Sequence, residues 1–112
     1  MSEPLDRVVV DGRVAVLYSP GYGSGWSTWN QDHPECVFDP VVVKWIQDGR
    51  PQQQLGDIEC HCKQKYGEYF YIGSGLEQLE IEWVPRGMQF MVTEYDGSES
   101  IRWRGGEPWI TA

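Results

Sequence analysis

The chain is short of positive charge: against 17 aspartates and glutamates it carries 9 lysines and arginines, for a formal net charge of -8. Such a balance repels DNA, RNA and anionic membrane surfaces at long range, which sets broad nucleic-acid binding aside. Cysteine is scarce as well. The 3 present are odd in number and unevenly spaced, which fits reduced thiols in a cytosol better than a secreted disulfide framework. No apolar run approaches the length of a membrane span, and residues 1–6 lack the features of a signal peptide. The expected setting is therefore cytoplasmic. Nucleotide-hydrolase and serine-hydrolase signatures are missing too. No lysine follows the glycines as in a Walker loop, and Ser24 within Gly23-Ser24-Gly25 falls short of a GxSxG elbow.

What the chain has in surplus is aromatic surface, with 6 tryptophans and 6 tyrosines in 112 residues. A single domain spanning residues 1–112 hides only part of that surface, so a homo-oligomer, a dimer or higher, is expected to cover some of the rest. The densest stretch lies at residues 17–30, where Pro20, Gly21, Tyr22, Gly23, Gly25, Trp26 and Trp29 follow a β-branched run. Glycines let a backbone turn tightly and approach a ligand, and flat aromatic faces stack on a base or sugar. Gly21, Tyr22, Gly23, Trp26 and Asn30 are thus candidate ligand-binding residues. The alternative is that the aromatics of this loop plug the core.

The valine runs 8–10 and 14–17 flank Asp11-Gly12, a tight hairpin signal. Asp39-Pro40 reads as an N-cap with proline at the first helical position, and Asp48-Gly49 as the stop, giving a helix over residues 40–48 with Val42, Trp45 and Ile46 facing inward. Pro51 opens a second helix whose apolar face is Leu55, Ile58, Cys62 and Tyr66, with Gly67 as a left-handed cap. Period-two patterning then takes over. Residues 69–72 read as a short strand, and Leu79, Ile81 and Trp83 alternate with Glu80 and Glu82. Turns at Pro85-Arg86-Gly87 and Asp96-Gly97 lead into strands over residues 88–95 and 100–104. The expected fold is α+β, an antiparallel meander with two helices packed on one face.

Three constellations bear on chemistry. His33, Cys36, Cys60, His61 and Cys62 invite a zinc reading, but residues two apart on a helix point to nearly opposite sides, so Cys60 and Cys62 cannot share one ion. No metal and no cofactor is expected; Cys62 belongs to the core, with Cys60 and His61 on the surface and His61 outside any pocket. Carboxylate pairs such as Glu80 with Glu82 suit acid-base work and equally suit a solvated strand face. Arg102 and Arg104 share one face of the last strand beside Gln89, Met91 and Thr93 of its neighbour. Guanidinium groups there would grip phosphate, or pair with Glu94, Asp96 and Glu99 as surface salt bridges.

The valine-rich first strand, the loop Pro20-Gly21-Tyr22-Gly23 and the segment Glu94-Tyr95-Asp96-Gly97-Ser98-Glu99-Ser100-Ile101 together resemble a family of small bacteriophage proteins. Its members carry a Gly-Gly-Phe-Gly-type loop and a closing Glu-Tyr-Asp-Gly-x-Glu turn, and the pattern is similar to that of anti-Thoeris sponge proteins. The resemblance covers both ends of the chain and leaves residues 31–77 unaligned. Its tail departs from the family's His-Arg-Thr-Trp-like ending, with Arg102-Trp103-Arg104-Gly105 instead. It implies a non-enzymatic phage anti-defence protein that sequesters a cyclic ADP-ribose-type or cyclic nucleotide messenger in the infected cell. Gly21, Tyr22, Gly23 and Asp96 would then be ligand-binding, beside Trp26, Asn30, Gln89, Arg102 and Arg104. An acidic accessory protein that inhibits a host protein is the alternative.

Overall fold

The computed structural model describes residues 7–20, 26–30, 32–70, 75–95, 98–103 and 110–111. Strands β1 (Val9–Val10) and β2 (Arg13–Tyr18) form the hairpin the valine runs predict. Asp11 at φ 53 and Gly12 at φ 76 supply the two positive dihedrals that a type I′ turn demands. After the loop and two 3-10 turns, Ser27–Trp29 and Pro34–Phe38, helix α1 (Pro40–Gln47) begins on Asp39. A further 3-10 turn (Gln52–Gln54) enters α2 (Leu55–Tyr66), and α3 (Gly75–Gln78) precedes β3 (Glu80–Pro85). The chain then runs through β4 (Gln89–Tyr95), β5 (Ser98–Trp103) and β6 (Ile110–Thr111).

The class is α+β with antiparallel pairing throughout, and its strands are divided between two sheets, β1-β2-β3 and β5-β4-β6. The short turn after Pro85 therefore does not make β3 and β4 neighbours, as a continuous meander would. It carries the chain from one sheet to the other. The reason lies in β2, whose Val14, Ala15, Val16 and Leu17 are all buried. Ala15 and Leu17 join Ile81, Trp83 and the helical residues Val42, Val43, Trp45, Ile58, Cys62 and Tyr66 in one core. Val14 and Val16 join Val84, Val37, Phe38 and Phe90 in another, against which Val92 and Ile101 pack. A strand with two apolar faces needs a cover on each, and here the helices cover one and the second sheet the other.

α1 sits within a residue of expectation, whereas Pro51 opens the Gln52–Gln54 3-10 turn and α2 proper begins at Leu55; Ile58, Cys62 and Tyr66 are buried while Leu55 is half-buried. Gly67 takes φ 111 with ψ 155, a positive φ in an extended backbone, instead of the left-handed cap. That geometry throws the chain outward. Tyr69 and Phe70 accordingly lie in a turn and not in a strand, and residues 71–72 fall outside the described part. Among the described residues, no helix is long and apolar enough to cross a membrane.

Leu17→Ala should lower the unfolding free energy by about 2–5 kcal/mol, because it opens a cavity in the core between β2 and the helices. Val9→Thr, on the exposed edge strand, should change it by no more than about 0.5 kcal/mol. Urea denaturation of the two variants beside the parent checks the contrast.

Candidate functional site

Along β5 the side chains alternate, so Glu99 and Ile101 turn toward the second core while Ser100 and Arg102 are exposed. Glu99 is 2% exposed, a carboxylate where a strand usually places a hydrophobe. Four donors meet it. Oε1 accepts the Ser19 amide at 2.9 Å. Oε2 accepts the Trp26 amide at 2.8 Å, the Thr28 amide at 3.0 Å and the Thr28 hydroxyl at 2.5 Å. The Glu99 amide in turn donates to the Ser19 carbonyl at 2.6 Å, and the Ser98 hydroxyl donates to the Pro20 carbonyl at 2.7 Å. A buried carboxylate persists when its lone pairs are satisfied. Here it clasps both ends of the glycine-aromatic loop to the last hairpin.

Trp26 is anchored inside that clasp. It is fully buried, its Nε1 donates to the Cys36 carbonyl at 3.0 Å, and Phe70 meets it edge to face at 5.2 Å. Asn30 is buried too, its Nδ2 donating to the Trp26 carbonyl at 2.8 Å. Of the two expected ligand contacts, Trp26 is taken up by the fold as a core plug, whereas Asn30 closes the turn behind it and also lines the cleft described below.

A second buried carboxylate, Asp39, organises the helical side. Its Oδ1 caps α1 by accepting the Val41 and Val42 amides at 3.0 and 3.1 Å. Its Oδ2 accepts the Tyr66 hydroxyl at 2.6 Å. His61 Nε2 lies 3.1 and 3.0 Å from the two oxygens, and Lys65 Nζ 3.8 Å from Oδ2. Burial alone would raise the Asp39 carboxyl, but the bonds from Tyr66, His61 and the Val42 amide outweigh it and hold the carboxyl below its ordinary value of 3.8. Burial, with the Asp39 bond added, pushes the Tyr66 hydroxyl well up, so it stays a donor. Burial likewise raises Cys62 to about 12, and Cys36 further still, leaving both as inert thiols.

Between the two carboxylates lies an open cleft of about 560 Å³. The Ser27–Trp29 turn and its continuation supply Thr28, Trp29, Asn30, Asp32 and His33, and the end of α2 supplies Tyr66, Gly67, Tyr69 and Phe70. Tyr66 and Phe70 stack on each other at 4.6 Å, and His33 leans on both, at 5.5 and 5.9 Å. Trp29, 38% exposed, and Tyr69, 92% exposed, present aromatic surface to solvent. Trp29 Nε1 donates to Glu94 Oε2 at 3.3 Å, a third tie between loop and hairpin.

The expected pocket of loop aromatics and arginines is not assembled among the described residues. Arg102 stands opposite Met91 on the outer face of the second sheet, away from Glu99 and from the cleft. Gly21, Tyr22, Gly23, Asp96 and Arg104 lie outside the described residues, as does the side chain of Gln89. Cys60 is exposed and Cys62 buried, as helical spacing requires. No group of three or more histidine, cysteine or acidic side chains is placed to hold a metal among the described residues. His61, expected on the surface outside any pocket, is half-buried and not among the cleft-lining residues, and it binds Asp39, the group that holds the cleft wall Tyr66. Two signals were available for the missed residues. Glu99 has the inward parity of Ile101, and Asp39, His61 and Tyr66 become neighbours once a helix over residues 55–66 faces the cap of the preceding one.

No protein-family model matches the chain, and neither a curated protein nor a solved structure shows significant similarity to it.

Glu99→Gln replaces one accepting oxygen with a donor that faces other donors, and should cost at least about 1.5–3 kcal/mol, the worth of one charge-assisted bond. Thr28→Val should cost less, since the Thr28 amide bond remains; chemical denaturation of both variants measures this order. The Asp39 carboxyl titrates lower in the folded than in the unfolded chain, so its stabilisation is complete above 3.8 and is lost as pH falls through the folded value. Asp39→Asn should be less stable than the parent by roughly 1–3 kcal/mol at pH 7, with the gap narrowing in acid. Urea titrations at neutral pH and near pH 3 would reveal that convergence.

Proposed function

We propose that the protein is a non-enzymatic binder that holds the ring of a small nucleotide-derived molecule in the cleft between the Ser27–Trp29 turn and the end of α2. The observation that carries this reading is the cleft itself. Its volume of about 560 Å³ falls in the range of small-molecule sites, and its lining combines aromatic faces with a few polar groups. The clasp supports it further, because a loop tied at Ser19, Trp26 and Thr28 presents Trp29 without a large ordering cost on binding. Inert thiols, and a Thr28 hydroxyl committed to Glu99, favour retention of a ligand over its turnover. Sequestration of a cyclic ADP-ribose-type messenger, the role implied by the resemblance of the loop and the closing hairpin, uses such a site. The contact to phosphate that was expected from Arg102 has no part in this cleft.

Incubation with cyclic ADP-ribose isomers and cyclic dinucleotides, followed by heat denaturation, tests the reading. Release of intact ligand supports it, degraded ligand indicates an enzyme, and absence of depletion leaves inhibition of a host protein as the better account. Tyr69→Ala should weaken binding on the order of tenfold, the loss of one stacked ring. Arg102→Ala should leave affinity unchanged. Both positions are exposed, so both variants should keep the parental melting temperature.

A further inference from the structure

Among the described residues, the charged groups nearest the cleft are predominantly acidic. Asp32 lines it, Glu35 lies 3.8 Å from His33 Nδ1, and Glu94 holds Trp29 Nε1. No lysine or arginine is among the described lining residues. Two lysines at the end of α2 are nearby: Lys63, whose Nζ donates to the Glu68 carbonyl at 3.2 Å, and Lys65. The Lys65 Nζ sits 5.5 Å from the centroid of the Tyr66 ring, where Asp39 at 3.8 Å offsets its charge. A cation over an aromatic face is thus a contact this wall already makes.

Resting on the binding role proposed above, we infer that the cleft selects a planar ring bearing a fixed positive charge, of the pyridinium or N-alkylated purine class. An aromatic lining attracts a cation through the ring quadrupoles, and Asp32, Glu35 and Glu94 add an attractive field that water only partly screens. The same field disfavours an anionic ring. A phosphate on such a ligand must point out of the cleft, since no cationic side chain among the described lining residues would meet it.

Three isosteric probes separate ring binding from charge selection: 1-methylnicotinamide, a permanent cation; neutral nicotinamide; and anionic nicotinate. Calorimetric titration of the full chain should give affinities in that order, with the cation bound roughly tenfold more tightly than the neutral ring at low salt. Asp32→Asn, at an exposed position, should narrow the cation's advantage over the neutral ring. Equal affinities for all three probes would overturn charge selection while leaving the cleft as a ring site. Binding of cyclic ADP-ribose-type ligands with none of the probes bound would likewise overturn the inference alone. If neither group bound, both the inference and the proposed function would fall.

Discussion

A carboxylate withdrawn from water among four hydrogen-bond donors is the constraint on which the rest of this structure depends. Glu99 stands 80 positions from Ser19 and 73 from Trp26, so the bonds that order the glycine-aromatic loop come from the far end of the chain. Desolvating a carboxylate costs several kcal/mol unless its oxygens are met, and losing one partner of such a group costs more than never having buried it. The loop and the closing hairpin are therefore coupled: neither reaches its folded conformation cheaply without the other. The two motifs that stand out in the sequence, one near each end, turn out to be two halves of a single contact.

Asp39 plays the corresponding part among the helices. It caps α1 with one oxygen and holds Tyr66, near the end of α2, with the other. Two buried carboxylates thus fix the two sides of the cleft, Glu99 through the Trp26–Thr28 backbone and Asp39 through Tyr66. Trp26 and Phe70 link the two sides by meeting edge to face, and Phe70 itself lines the cleft. Placing polar anchors inside a small core sacrifices some apolar burial, but it defines the relative positions of segments that share no strand pairing.

Most of the fold was legible because local chemistry and periodicity agreed. The Asp11-Gly12 turn, the Asp39-Pro40 helix start, the apolar face of α2 and the hairpin of β4 with β5 each announce themselves within a dozen residues. What escaped is long-range. The run Val14-Ala15-Val16-Leu17 reads as a strand but does not say that a second sheet covers its other face, and the turn after Pro85 looks the same whether it joins strands of one sheet or of two. The site was read less well for a related reason. Trp26 and Trp29 are three residues apart in one loop, yet one is core and the other lies against the cleft. The carboxylate that decides between them lies in another strand. Residues 69–72 read as a strand in the sequence, whereas Gly67 turns the chain and leaves the Tyr69 ring in solvent.

Amide hydrogen exchange of the unliganded protein tests the clasp most directly, because the Trp26 and Thr28 amides point at Glu99 and belong to no strand or regular helix ladder. If Glu99 makes the loop part of the core, these two amides exchange only through global unfolding, as slowly as the amides of β2. Exchange at the rate of an exposed loop, while β2 remains protected, would show that the carboxylate does not hold the loop, and the account of the cleft built on it would be contradicted.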